Sequence, residues 1–195
     1  MAGIGQECRA LSLFAGEKPP LDGVRVLDSS DMLGLLGMGN GPVHLAEGKV
    51  NASKHPNMTA QEWKKIPQWL DNPAAVFDSA TVSGRLVLVA PETVNNAPVL
   101  MVVEPNGQKK TDGVRVHLLQ NAYDKDESAP PFGRWLQDGK VRYVSQKEFP
   151  AVLNASGLQL SSTAWQNKPG MGRILTEKHL AGYRKANSTD ILYSK

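Results

Sequence analysis

Hydrophobic and polar positions change their period several times along this chain, and the changes outline its elements. Trp63, Ile66 and Leu70 recur at helical spacing behind Thr59-Ala-Gln-Glu62. That tetrad has the form of a capping box, in which Thr59 and Glu62 each satisfy an amide of the other's turn. A helix is therefore predicted to start after Thr59. Pro67, which has no amide, is expected to kink or split it, and Asp71-Asn72-Pro73 to end it. Ala75 to Ser79 is a weak strand candidate. Arg85 to Ala90 and Pro98 to Glu104 are Val/Leu-rich, and Pro91 to Ala97 between them predicts a hairpin. From Gly113 to Leu119, Val114, Val116 and Leu118 alternate with Arg115 and His117, the period of a half-buried strand. Phe132 to Gln137 suits a short helix stopped by Gly139, Val141 to Val144 another strand, and Gln146 to Leu153 a further helical turn or two.

A helix followed by closely spaced strands, with no βαβ alternation, predicts an α+β fold. N-terminal helical structure would pack on a roughly four-stranded antiparallel sheet, with extra short helices and extended ends. Residues 1–40 carry Gly and Pro at short intervals and one apolar patch, Met32 to Leu36, so they read as a loosely structured leader. Residues 41–165 hold the domain, and 166–195 a tail with a short helix near Thr176 to Arg184. No repeat is visible.

Composition changes this picture little. The 195 residues are 41% hydrophobic and 21% charged, which permits an ordinary buried core. The apolar runs are too short to span a bilayer, and the N-terminus does not read as a signal peptide, so a cytoplasmic protein is expected. Net charge +3 and a pI near 9.0 permit an acidic partner such as RNA without requiring one. Cys8 is the single cysteine, which leaves no intrachain disulfide and no Cys-rich metal site. His44, His55, His117 and His179 are scattered. No metal or cofactor is expected, and no nucleotide loop, nucleophile elbow or zinc helix is present.

Three clusters bear chemistry. Ser53-Lys54-His55-Pro56-Asn57-Met58-Thr59 places an imidazole and an ammonium just ahead of a helix. Such a His can act as general base beside a phosphate-binding Lys, or can simply fix the helix start with one hydrogen bond. Asn121-Ala-Tyr123-Asp124-Lys125-Asp126 gathers a phenol, a cation and carboxylates in a segment read as a loop after a strand. It is either a functional loop or a solvated turn. Trp135, Lys140, Arg142 and Tyr143 interleave aromatics with cations, as single-stranded RNA binders do. The alternative puts Trp135, Val141 and Tyr143 in the core, and for Trp135 the core is the favoured reading.

Taken in order, Lys54-His55-Pro56, Thr59, Glu62, Ile66-Pro67 and Asn72-Pro73-Ala-Ala-Val-Phe-Asp-Ser79 resemble the start of the phage MuF C-terminal domain family. The Val-rich hairpin from Leu86 to Val103, Asn121 to Asp126, Trp135 and Gly139-Lys-Val-Arg142-Tyr143-Val continue the resemblance, which covers about His44 to Leu160. This family is carried by phages and mobile elements and is grouped with ribonucleases of the barnase, EndoU, colicin and RelE type (BECR). The resemblance implies a toxin-like, metal-independent ribonuclease that cuts RNA through its own 2′-hydroxyl. His55, Lys125 and Tyr123 would be catalytic, and Lys54, Arg142 and Tyr143 would contact RNA. It also implies an immunity protein and a phage or secretion delivery module as partners, with no membrane partner. Two rivals stand beside it: a non-enzymatic phage-associated interaction domain, and an ADP-ribosyltransferase or NAD-consuming effector using Glu104 or Glu148.

Overall fold

A computed structural model describes residues 24–46, 55, 57–108, 115–125, 130–161 and 173–193. In chain order the elements are β1 (Val24–Leu27), α1 (Asp31–Leu35), β2 (Val43–Leu45), α2 (Ala60–Asp71), β3 (Ala75–Asp78), β4 (Leu86–Val94) and β5 (Ala97–Gln108). Then follow β6 (Arg115–Asp124), α3 (Phe132–Gln137), β7 (Val141–Val144), α4 (Glu148–Ala155) and α5 (Glu177–Tyr193). The strands form one seven-stranded sheet in the order β1-β2-β6-β5-β4-β3-β7. Every pairing is antiparallel except that of β2 with β6, which is parallel. The fold is thus α+β, as expected, but the sheet is larger than four strands and mixed.

The extra strands come from places where local signal is weak. β1 and β2 have 4 and 3 residues; β1 pairs with β2, and β2 in turn with β6, far away in sequence, so little nearby announces them. They and α1 lie largely within the stretch expected as a leader, yet Val24, Met32, Leu33, Val43 and Leu45 all join the core. β3, the weak candidate, lies in the interior between β4 and β7. Its Ala75, Val76 and Phe77 are fully buried, because both faces of this part of the sheet are covered.

One face carries Val76, Leu86, Leu88, Val99, Met101, Val103 and Leu119 against α1, α2 and α5, which contribute Met32, Leu33, Trp63, Ile66, Trp69, Leu70 and Leu180. The other carries Ala75, Phe77, Val87, Val89 and Leu100 against α3 and α4 through Phe132, Leu136, Phe149, Val152 and Leu153. Phe77 is the hub of that second layer, with ring centroids 5.8, 5.3 and 6.0 Å from Phe132, Trp135 and Phe149. Such tilted and offset aromatic contacts add to the area they bury. Trp135 is therefore a packing residue.

Helix α2 has the anticipated capping box on Thr59 and Glu62. It runs from Ala60 to Asp71 with Pro67 inside it, neither split nor ended there. Burial of Ile66, Trp69 and Leu70 on either side of Pro67 holds the two halves on one apolar surface. The β4–β5 hairpin is tighter than expected. Strand β4 continues past a register shift between Val89 and Thr93, and the turn is only Asn95-Asn96, at φ 50° and 64°. Two residues at positive φ are the mark of a type I′ turn, which suits Asn. On β7, a shift opposite Val76 and Phe77 bulges at Arg142 and turns Tyr143 towards the α1/α2/α5 layer.

The C-terminal helix is tied in by Arg184. Its guanidinium reaches Asp31, Asp71 and Asn72, with 2.6 Å to Asp71 Oδ2. The other Asp71 oxygen accepts the amides of Asp31 and Met32 at the start of α1, where Ser30 caps Leu33. This satisfies the first turn of α1 and joins α1, α2 and α5. The helix near Thr176 is thus real and longer than the sequence implied.

Candidate functional site

Strand β6 extends through Asn121 to Asp124, residues expected in a loop after it. Asn and Asp are poor strand formers, but here β5 supplies the pairing: Val102 opposite Asn121, Leu100 opposite Tyr123 and Val99 opposite Asp124. Alternation along the strand sends Tyr123 and Asp124 to opposite faces at its last two positions. Lys125 follows, half-buried, and donates its amide to the Pro98 carbonyl at 3.0 Å.

The turn ahead of α2 reaches the same strand end. Met58 donates to the His55 carbonyl and Thr59 to that of Asn57, both at 3.0 Å. Met58 is buried, which plants the turn on the core. Asn57 Nδ2 donates to Asp124 Oδ2 at 2.7 Å. His55 Nδ1 lies 4.0 Å from Asp124 Oδ1, with side-chain exposures of 28% for His55 and 2% for Asp124. The imidazole stacks on the Tyr123 ring at 5.3 Å between centroids and 29° between planes.

The chemistry of this arrangement follows from exposure and charge. A carboxylate this buried needs partners, and Asn57 and His55 face its two oxygens. Its negative charge beside Nδ1 favours the tautomer with the proton there, which leaves Nε2 as the basic nitrogen. Burial pushes the Tyr123 phenol above its ordinary value of 10.0, so it stays a proton donor through neutral pH. A half-exposed base, a carboxylate behind it and a protonated phenol beneath it form a constellation for proton transfer.

Of the expected site residues, the structure brings together His55 and Tyr123, with Lys125 next in chain to Asp124. Lys54, like Pro56 and Asp126, lies outside the described residues. Arg142 is four strand positions from β6, about 19 Å at the usual strand spacing. Its Nε sits 3.0 and 2.9 Å from the two oxygens of Asp78. Tyr143 is 2% exposed within the core, so its ring has no face for a base, and its expected role in RNA contact is corrected to packing. Asp124 and Asn57 are not among the expected site residues, although both stand inside the chemistry-bearing clusters of the sequence. A register shift opposite Val102 and Val103 breaks the alternation of β6 between Leu119 and Asn121, so the period of the strand alone does not place Asp124.

Other candidates have structural partners. Glu104 accepts from Arg85 and Gln120 across β4, β5 and β6, and Glu148 pairs with Lys147 at the start of α4. Among the described residues, no three His, Cys, Asp or Glu side chains gather as a metal site would require. No helix among them is long and apolar enough to cross a membrane.

The chain is an α+β domain in which the end of β6 meets the start of α2 at His55, Asn57, Tyr123 and Asp124. The profile of the Phage MuF-C-terminal domain family matches residues 48–151. The chain belongs to that family. The whole His55/Asn57/Tyr123/Asp124 cluster falls inside the match, whereas β1, α1, β2 and α5 lie outside it. No curated protein and no solved structure matches the chain.

Proposed function

We propose that this domain is a ribonuclease that cleaves RNA by attack of the substrate's 2′-hydroxyl on the adjacent phosphorus. His55 Nε2 takes the 2′-hydroxyl proton while the new O–P bond forms. Tyr123 gives its proton to the departing 5′-oxygen, leaving a 2′,3′-cyclic phosphate, and the imidazolium returns a proton to the phenolate through solvent. Asp124 stabilises the imidazolium as it forms, and Lys125 balances charge on the crowded phosphate. No step calls for a metal. The observation that carries this reading is the buried carboxylate of Asp124 set behind a half-exposed imidazole. On this reading RNA is the substrate, and an immunity protein and a phage or secretion delivery module are the partners the host and the particle would supply.

The test is controlled expression in a bacterium, followed by sequencing of RNA ends and by cleavage of RNA with the purified chain in the presence of a chelator. Growth arrest and cyclic-phosphate ends, absent with His55→Ala and absent on a substrate with 2′-deoxy at the scissile position, are expected. Intact RNA with soluble, folded wild-type protein overturns the reading.

One observation favours a second reading. The bond from Asn57 to Asp124, together with buried Met58, also docks the start of α2 onto β6. In a non-enzymatic phage interaction domain that docking would be the whole purpose of the cluster. Harmless expression, with loss of stability but of no activity in Asp124→Ala, is its signature.

A further inference from the structure

His117 lies on β6 well away from the proposed site, 1% exposed, and has a definite hydrogen-bond pattern. Its Nδ1 accepts the Asn106 amide at 3.2 Å, and its Nε2 lies 3.0 Å from the Gly39 carbonyl. The acceptor at Nδ1 fixes the tautomer: the proton is on Nε2 and is donated to Gly39. The backbone amide of His117 also donates to Pro42, and Asn106 Nδ2 to Met38. Asn106 stands at φ 54° in the bulge between Glu104 and Gly107, so its amide turns to the ring instead of the strand ladder. One imidazole therefore links the β5 bulge to the loop from Gly37 to Pro42, which leads from α1 into β2. Gly41 lies against the ring.

Protonation is incompatible with this arrangement. A second ring proton on Nδ1 would face the Asn106 N–H, two donors with no acceptor between them, in a buried place. Among the described residues, no carboxylate bonds to the ring. On the paired strands, the nearest titratable residues among those described are Glu104 on β5 and His44 on β2, each opposite Leu118, whose side chain alternates to the other face. Glu104 is in addition engaged by Arg85 and Gln120. The loop elements that touch the ring are Gly39, Gly41 and their backbone, with no charge.

We propose that His117 is an acid-sensitive latch: neutral, it fastens the Gly37–Pro42 loop and β2 to the β5–β6 hairpin, and protonated, it releases them while the rest of the sheet stays folded. Burial pushes the ring below its ordinary 6.5, so release sets in on the acid side of that value. The latch is independent of RNA cleavage and holds whichever function the His55 cluster serves.

The experiment is hydrogen–deuterium exchange of the full chain between about pH 7.5 and about pH 5, spanning histidine titration. Protection of residues 37–45 is compared with that of β3 and β4 in the same sample. On the acid limb, the protection ratio is expected to fall about tenfold per pH unit, the slope of one linked proton. His117→Asn keeps an acceptor oxygen near the Nδ1 position and cannot titrate, so its ratio is expected to stay flat. A flat ratio in the wild type, or an undiminished slope in His117→Asn, overturns the latch. Should the variant misfold, the wild-type imidazole is followed by NMR. Coincident midpoints of ring protonation and loop release support the latch, and separated midpoints overturn it.

Discussion

Asn57 donates its side-chain amide to Asp124 across 67 positions of sequence, at 2.7 Å. The same bond that pins the helix start also orients the carboxylate towards His55. Replacing Asp124 with Asn keeps the size of the side chain and removes its charge. If His55 is the base, Asp124→Asn is expected to slow RNA cleavage by about 10²–10⁴-fold, the usual worth of positioned acid–base groups. Asn57→Ala leaves a buried carboxylate short of a donor and is expected to cost about 1–3 kcal/mol in urea unfolding.

Arg184 makes the corresponding test of the C-terminal helix. It bonds to Asp31, Asp71 and Asn72, while Asp71 also caps α1. The guanidinium is about one-third exposed, which weakens each ion pair. Arg184→Ala is expected to lower stability by about 1–3 kcal/mol, and Arg184→Lys to recover less than half, since an ammonium cannot reproduce the fork. Chemical denaturation of the three proteins measures this directly.

Tyr143 makes the fold sensitive to alkali. Burial, with Glu177 and Glu148 nearby, pushes its phenol from 10.0 up to about 12, against the opposing pull of Arg184. A raised pKa means that the folded chain holds this proton more tightly than the unfolded chain. The stabilisation is therefore complete below pH 10 and is lost as pH rises through about 12. At about 1.4 kcal/mol per pH unit, the loss across that window reaches roughly 3 kcal/mol. Tyr143→Phe is expected to flatten this alkaline limb in a series of melts at rising pH.

The Asn95-Asn96 turn offers a gain. Both residues stand at positive φ, where Gly meets no steric penalty. Asn96→Gly gives the favoured Asn-Gly sequence for such a turn and is expected to stabilise by a few tenths to about 1 kcal/mol. Asn96→Val is expected to cost about 1–2 kcal/mol, because a β-branched residue is strained there. Thermal melting of the pair distinguishes the two directions.

What the sequence revealed followed the range of each signal. The capping box of Thr59 and Glu62, the run of β4 and the short helix at Phe132 are written in neighbouring residues, and they appear where expected. β1, β2 and the last residues of β6 depend on partners distant along the chain, so local propensity underrated them. The same split holds at the site. His55 and Tyr123 drew attention as chemical types, whereas Asp124 gains its meaning from burial and from Asn57, neither visible in a charged run. Tyr143 has the residue type of an RNA contact, but the bulge on β7 turns its ring into the core, which no local pattern announces.

The parallel contact between β2 and β6 has a kinetic consequence. Strands β4 and β5 meet through a two-residue turn, and β3 pairs with β4 across a short connection, so this part of the sheet can zip from local contacts. Joining Val43 to His117 requires closing a loop of about 70 residues, and its entropic cost is recovered only once β6 is in place to receive it. The β1–β2 edge is thus the natural last step of assembly. In refolding experiments, burial at Val43 and Leu45 should lag behind that at Leu88 and Met101.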